Sequence, residues 1–110
     1  VVVIGGDFMV RRSVGLCEIS ELKVGPLVYG VVRAPITEHG LCDYRRQTIT
    51  IQTELHPRAA RVVLWHELVH AMLYQLGYNE HDEKLVDGLA HCIVSVLDDN
   101  PELKGPCDGF

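Results

Sequence analysis

The run His66-Glu67-Leu68-Val69-His70 is the part of this 110-residue chain whose residue types and spacing could do chemistry. In a helix, residues i and i+4 lie about 40° apart around the axis, so His66 and His70 would project from one face, close enough for a single Zn²⁺ to bridge both imidazoles. Glu67, one step round, cannot join that ligand pair. It is well placed to take a proton from a water beside the metal, which is the general-base position. A chain of this composition contains such an HExxH string by chance about 0.02 times, so coincidence is a poor explanation. Two core histidines and an exposed glutamate would be the alternative. That alternative must set polar groups into the most apolar stretch of the chain, where an unpaired buried charge costs several kcal/mol.

Those residues need a helix, and the sequence supplies one after His56. Pro57 suits a first helical position, the pattern runs from Arg58 to Leu76, and Gly77 suits the position just past the end. Its second half is apolar almost all round, which predicts packing on several sides. A second helix is expected from about Asp82 to Leu97, with Val86, Leu89, Ala90, Ile93, Val94 and Leu97 as its apolar stripe. The turn Gly77–His81 makes the two an antiparallel hairpin. A catalytic zinc takes three protein ligands and keeps a fourth position open. Glu83 and Asp87 share a helical face with Ala90 and Val94, and a compact turn would bring Glu83 back to His70.

Before His56 the chain reads as strands and turns. Val1–Ile4 and Phe8–Arg11 flank Gly5-Gly6-Asp7, Leu27–Arg33 is another strand, and Gln47–Thr53 alternates Ile49 and Ile51 with polar residues. Ser20–Gly25 and Ala34–Gly40 read as loops, with Glu18–Lys23 able to form a helical turn. The expected fold class is α+β: a small twisted, mainly antiparallel N-terminal sheet packed on a C-terminal two-helix core. Residues 1–110 form a single domain, with 1–56 the sheet half, 57–100 the helical metal-binding half and 101–110 a tail.

Hydrophobic residues make up 47% and charged residues 23%, ordinary for a globular domain. The net charge is −5, with the basic residues scattered, so a nucleic-acid partner is not expected. No stretch of 18 apolar residues occurs, so no membrane span is expected and the protein should be soluble. Val1–Ile4 is too quickly interrupted to be a signal peptide. Cys17, Cys42, Cys92 and Cys107 form no CxxC pair and read as free thiols of a cytoplasmic protein; a secreted chain with one or two disulfides is the alternative.

The motif and the residues after it resemble a known family. HELVH, then Glu83-Lys84-Leu85-Val86-Asp87, is similar to the HExxH…ExxxD pattern of gluzincin metallopeptidases. More closely, Gly40-Leu41-Cys42-Asp43-Tyr44, Gln47–Ile51, His66–Gly77 and Glu83–Pro101 resemble small zincin-like proteins often encoded by phages and prophages, loosely related to the ImmA/IrrE type. The resemblance implies a zincin core and a zinc metallopeptidase acting on a peptide or protein. One catalytic zinc would be held by His66, His70 and Glu83, with Glu67 as the base and Asp87 orienting His66. It also implies that Gln47–Thr53, as an edge strand, pairs with extended substrate. The interval from His70 to Glu83 is shorter than in thermolysin-like gluzincins, so His81, Asp82, Asp87 and His91 stand as alternatives for the third ligand. His91, Tyr74 and Tyr78 are further candidates for stabilising an oxyanion. A metal-binding interaction or regulatory module of the same fold, with little turnover, is the competing function; oligomeric state is left open.

Overall fold

The computed structural model describes residues 19–103. The strands expected at Val1–Ile4 and Phe8–Arg11, the tail from residue 104, Cys17 and Cys107 lie outside the described residues. In chain order the elements are β1 (Glu21–Val24), β2 (Leu27–Ala34), β3 (Gly40–Asp43), β4 (Thr48–Gln52), α1 (Pro57–Gln75), α2 (Glu83–Asp99) and a short 3-10 turn at Pro101–Leu103. The strands make one sheet in the order β1-β2-β4-β3. The β1/β2 and β3/β4 pairs are antiparallel and β2/β4 is parallel, so the fold is α+β with a mixed, mainly antiparallel sheet.

Two segments differ from the sequence reading. Ser20–Gly25, expected as a loop, contains β1. Gly25, with φ 61°, and Pro26 close a two-residue hairpin in which Val24 pairs with Leu27, the arrangement of a type II′ turn. β3, at the end of the expected Ala34–Gly40 loop, is a four-residue strand too short for its alternation to be read. Its presence moves β4 off the edge. Expected as an edge strand that pairs with substrate, β4 instead runs between β2 and β3, with both sides of its main chain hydrogen-bonded. Among the described residues the edge strands are β1 and β3, and β3 is the one packed more closely against the histidine-bearing helix. The turn joining β3 to β4 puts Gln47 at φ 52°, and its side-chain Nε2 donates to the Val28 carbonyl at 2.9 Å, which ties the turn to β2.

The alternation in β4 is as expected: Ile49 and Ile51 are completely buried under α1. Burial of each such side chain contributes about 1.5–3 kcal/mol. Ala60, Leu64, Leu68 and Ala71, at helical spacing, form the α1 side of the core with Val24, Tyr29 and Val31. On α1's other side lies α2, with Val86 and Ala90 buried. The helix thus packs on two sides, which is why its apolar residues go almost all round. Leu89, expected in the α2 stripe, is instead 40% exposed. Partners run in opposite directions along the two helices, Arg61 with Asp98, His66 with Asp87 and His70 with Glu83, which makes the hairpin antiparallel. Among the described residues, no helix is long and apolar enough to cross a membrane.

Candidate metal and proton-transfer site

The ends of both helices are tightly specified, and this sets the site. His56 caps α1, its Nδ1 accepting from the Arg58 N–H at 3.0 Å, and Pro57 follows at the first helical position. At the other end Tyr78 N–H donates to the Leu73 carbonyl and Gly77 N–H to the Tyr74 carbonyl, both at 3.0 Å, with Gly77 at φ 100°. This is a Schellman motif, and it reverses the chain at once. Asp82 then caps α2 by accepting from Lys84 N–H at 3.0 Å and Leu85 N–H at 3.4 Å. The first turn of α2 therefore lies beside the histidine-bearing turns of α1.

Glu83 meets both histidines there. Its Oε1 is 3.2 Å from His66 Nε2 and 3.3 Å from His70 Nε2, and its Oε2 is 3.1 Å from His70 Nε2. One ligand atom from each of the three side chains lies within 4.8 Å of the others, the one such metal-capable group among the described residues. In a tetrahedral site with bonds of about 2.0–2.1 Å, neighbouring ligand atoms stand about 3.3–3.4 Å apart. The nitrogen-to-oxygen separations here are of that length, and the donor set of two imidazoles and a carboxylate suits zinc.

Asp87 acts on the same histidine from the other side. Its Oδ1 lies 3.2 Å from His66 Nδ1, and an ionised carboxylate only accepts, so the Nδ1 proton is donated to it. In the neutral imidazole the Nε2 lone pair then points at Glu83, also an acceptor. Two acceptors in contact require a proton or a cation between them. Both acids face the histidines, yet they remain open to solvent, with side-chain exposures of 69% for Glu83 and 55% for Asp87.

Glu67 is the buried charge of the site, at 7% exposure. Burial, reinforced by Glu83 and opposed by His66, pushes its carboxyl up to about 7. Burial likewise pushes His70 down, against the pull of Glu83. Glu67, His66 and Asp87 line a cavity of about 210 Å³ with Val62, Val63, His39 and Gly40. Gly40 lies so close above the helix that a Cβ there would stand 2.5 Å from Val63 Cγ1 and 3.0 Å from Glu67 Oε2. The sequence reading gives His39 and Gly40 no part in the site; a glycine opening a strand was the available signal for such a close approach.

The remaining candidates take other places. His81 is not in the cluster but behind it, its Nδ1 2.7 Å from His70 Nδ1. Asp82 is the α2 cap. His91 sits on the outer side of Asp87, its Nδ1 donating to the Asp87 carbonyl at 2.9 Å. Tyr78 is 59% exposed, and its main-chain carbonyl is what reaches the site, 2.8 Å from His81 Nε2. Tyr74 stacks on Tyr44 with ring centroids 4.1 Å apart and planes within 3°. Burial, with smaller contributions from Cys42, Tyr29, Glu67 and Glu83, pushes the Tyr44 hydroxyl up to about 12. Comparison with protein-family models, with curated proteins and with solved structures finds no match to this chain.

Proposed function

We propose that this chain is a zinc-dependent metallopeptidase of the gluzincin-like kind. The convergence of His66 Nε2, His70 Nε2 and the Glu83 carboxylate within 4.8 Å of one another, with each nitrogen a tetrahedral edge from a Glu83 oxygen, carries the reading. Zinc held by these three side chains supplies Lewis-acid polarisation of the scissile carbonyl and of the attacking water. Glu67 accepts the water's proton on its carboxylate and returns it to the departing amine. Asp87 holds His66 with Nε2 directed at the metal position.

The open edge of β3 is the place for an extended substrate. Gln52 N–H donates to the His39 carbonyl at 2.9 Å, so by the alternation of an antiparallel ladder the N–H and C=O of Gly40 and Cys42 point away from β4. A peptide added there runs past the cavity that Gly40 shares with Glu67 and His66.

The test pairs metal content with turnover in wild type and Glu67→Gln. Wild type should hold one zinc and cleave members of a peptide library, whereas Glu67→Gln should hold zinc and not cleave. Wild type holding zinc with no cleavage favours the metal-binding module. Absence of bound metal under zinc-replete conditions overturns both.

A further inference from the structure

We propose that His81 is a positioning residue for His70: it accepts the His70 Nδ1 proton and thereby keeps the His70 Nε2 lone pair directed at the metal position. The inference rests on the metal reading of the His66/His70/Glu83 cluster and extends it to a residue outside that cluster.

The hydrogen-bond logic starts at a group that has only one role. The Tyr78 carbonyl can only accept, and His81 Nε2 lies 2.8 Å from it, so Nε2 carries the proton. In a neutral imidazole the other nitrogen is then an acceptor. His81 Nδ1 faces His70 Nδ1 at 2.7 Å, which makes His70 the donor and leaves its Nε2 bare toward Glu83, 3.1 Å from Oε2. One main-chain carbonyl thus sets the tautomers of two histidines in series. On the opposite side of the cluster Asp87 does the same for His66 with a single carboxylate.

His81 can do this because it is held. Its ring lies edge to edge with that of His70 and nearly coplanar with it, centroids 4.9 Å and planes 22° apart, as an in-plane Nδ1–Nδ1 hydrogen bond requires, and Tyr44 meets it edge-on at 6.4 Å and 71°. Tyr44 is itself stacked on Tyr74 of α1, so the β3–β4 turn and the first helix together fence the loop that carries His81. A residue serving as a third ligand would present a nitrogen to the same point as His66 and His70; His81 commits both nitrogens elsewhere.

The test compares His81→Phe, which keeps a ring against Tyr44 and removes the acceptor, with His81→Asn, whose amide can both donate to Tyr78 and accept from His70. Zinc affinity is read by competition with a chromophoric chelator, and the His70 tautomer by nitrogen-15 NMR of the imidazoles in metal-free protein. His81→Phe should lose about 10- to 100-fold in zinc affinity, the usual effect of removing a group that orients a ligand, and should lose the preference for a proton on His70 Nδ1. His81→Asn should recover most of both. Equal zinc affinity in wild type and His81→Phe overturns the inference and leaves the metal site standing. So does an NMR signature of direct zinc coordination by His81. No zinc bound by wild type overturns the metal reading itself, and this inference with it.

Discussion

Asp87 Oδ1 lies 3.2 Å from His66 Nδ1, one helical turn beyond the glutamate that faces the same histidine's Nε2 at the same distance. The two acids, four residues apart on α2, therefore bracket one imidazole, and His66 cannot turn without losing both contacts. Asp87→Ala should weaken zinc binding by about 10- to 100-fold while the fold persists, because Asp87 is half-exposed and its removal opens no cavity. Asp87→Asn retains an oxygen acceptor and should fall between alanine and wild type. His91→Ala, which touches only the outer side of Asp87, should change zinc affinity by less than about twofold. Chelator competition on the three variants checks this; an unaffected Asp87→Ala would mean that His66 needs no orienting partner.

Gly40 and Glu67 make a second relationship that turns on space rather than charge. A Cβ at position 40 would stand 2.5 Å from Val63 Cγ1 and 3.0 Å from Glu67 Oε2, so Gly40→Ala must push β3 away from α1 or move both side chains. The expected cost is about 1–3 kcal/mol, the usual range for overpacking, seen as a fall of several degrees in Tm. Cleavage should fall further than stability, because the displaced carboxyl is the proposed base. Gly30→Ala is the control, since nothing lies within 4 Å of the Cβ it would add. Equal thermal melts for the two variants would show that the strand has slack over the helix.

Much of this site is legible in the sequence because helices carry their geometry in their spacing. His66 and His70 at i and i+4, and Glu83 and Asp87 at i and i+4, set which faces have to meet; Gly77 and Asp82 set where the chain reverses. The features that local spacing does not show depend on pairings between segments distant in sequence. β3 is four residues long, and whether it or β4 lies at the edge depends on the parallel β2/β4 ladder, which no local pattern encodes. His81 stands among the candidate ligands because its residue type allows it. Its actual partners, a carbonyl three residues back and a histidine eleven residues back, arise from the tight reversal after Gly77.

Burial of Glu67 has a consequence for the metal-free protein. Its carboxyl is raised from an ordinary value of 4.5 to about 7, so the folded state holds this proton more tightly than the unfolded chain does. The stabilising contribution is complete below about pH 4.5 and is lost as pH rises through about 7. Chelator-treated wild type should therefore lose stability over that window, by about 1–3 kcal/mol from this group. Glu67→Gln should remove that part of the slope and be the more stable of the two above pH 7. Denaturant melts at several pH values, in chelator, measure both curves; parallel curves would place the Glu67 proton equilibrium outside this window.

The two described cysteines should differ sharply in reactivity. Cys92 is exposed on α2, while Cys42 on β3 is half-buried against the core, and both are free thiols. Burial first, then the nearby carboxylates of Glu67 and Asp43, pushes the Cys42 thiol up to about 12. At pH 8 only about one Cys42 in ten thousand is then the reactive thiolate. In a background with Cys17→Ser and Cys107→Ser, Ellman's reagent should titrate Cys92 promptly and Cys42 slowly. The Cys42 rate should climb about tenfold per pH unit between pH 8 and 10. Glu67→Gln removes one of the charges that hold the thiolate off and should speed Cys42 labelling without altering Cys92. Labelling of Cys42 as fast as Cys92 would mean that β3 does not stay closed over α1, and the cavity between Gly40 and Glu67 would lose its roof.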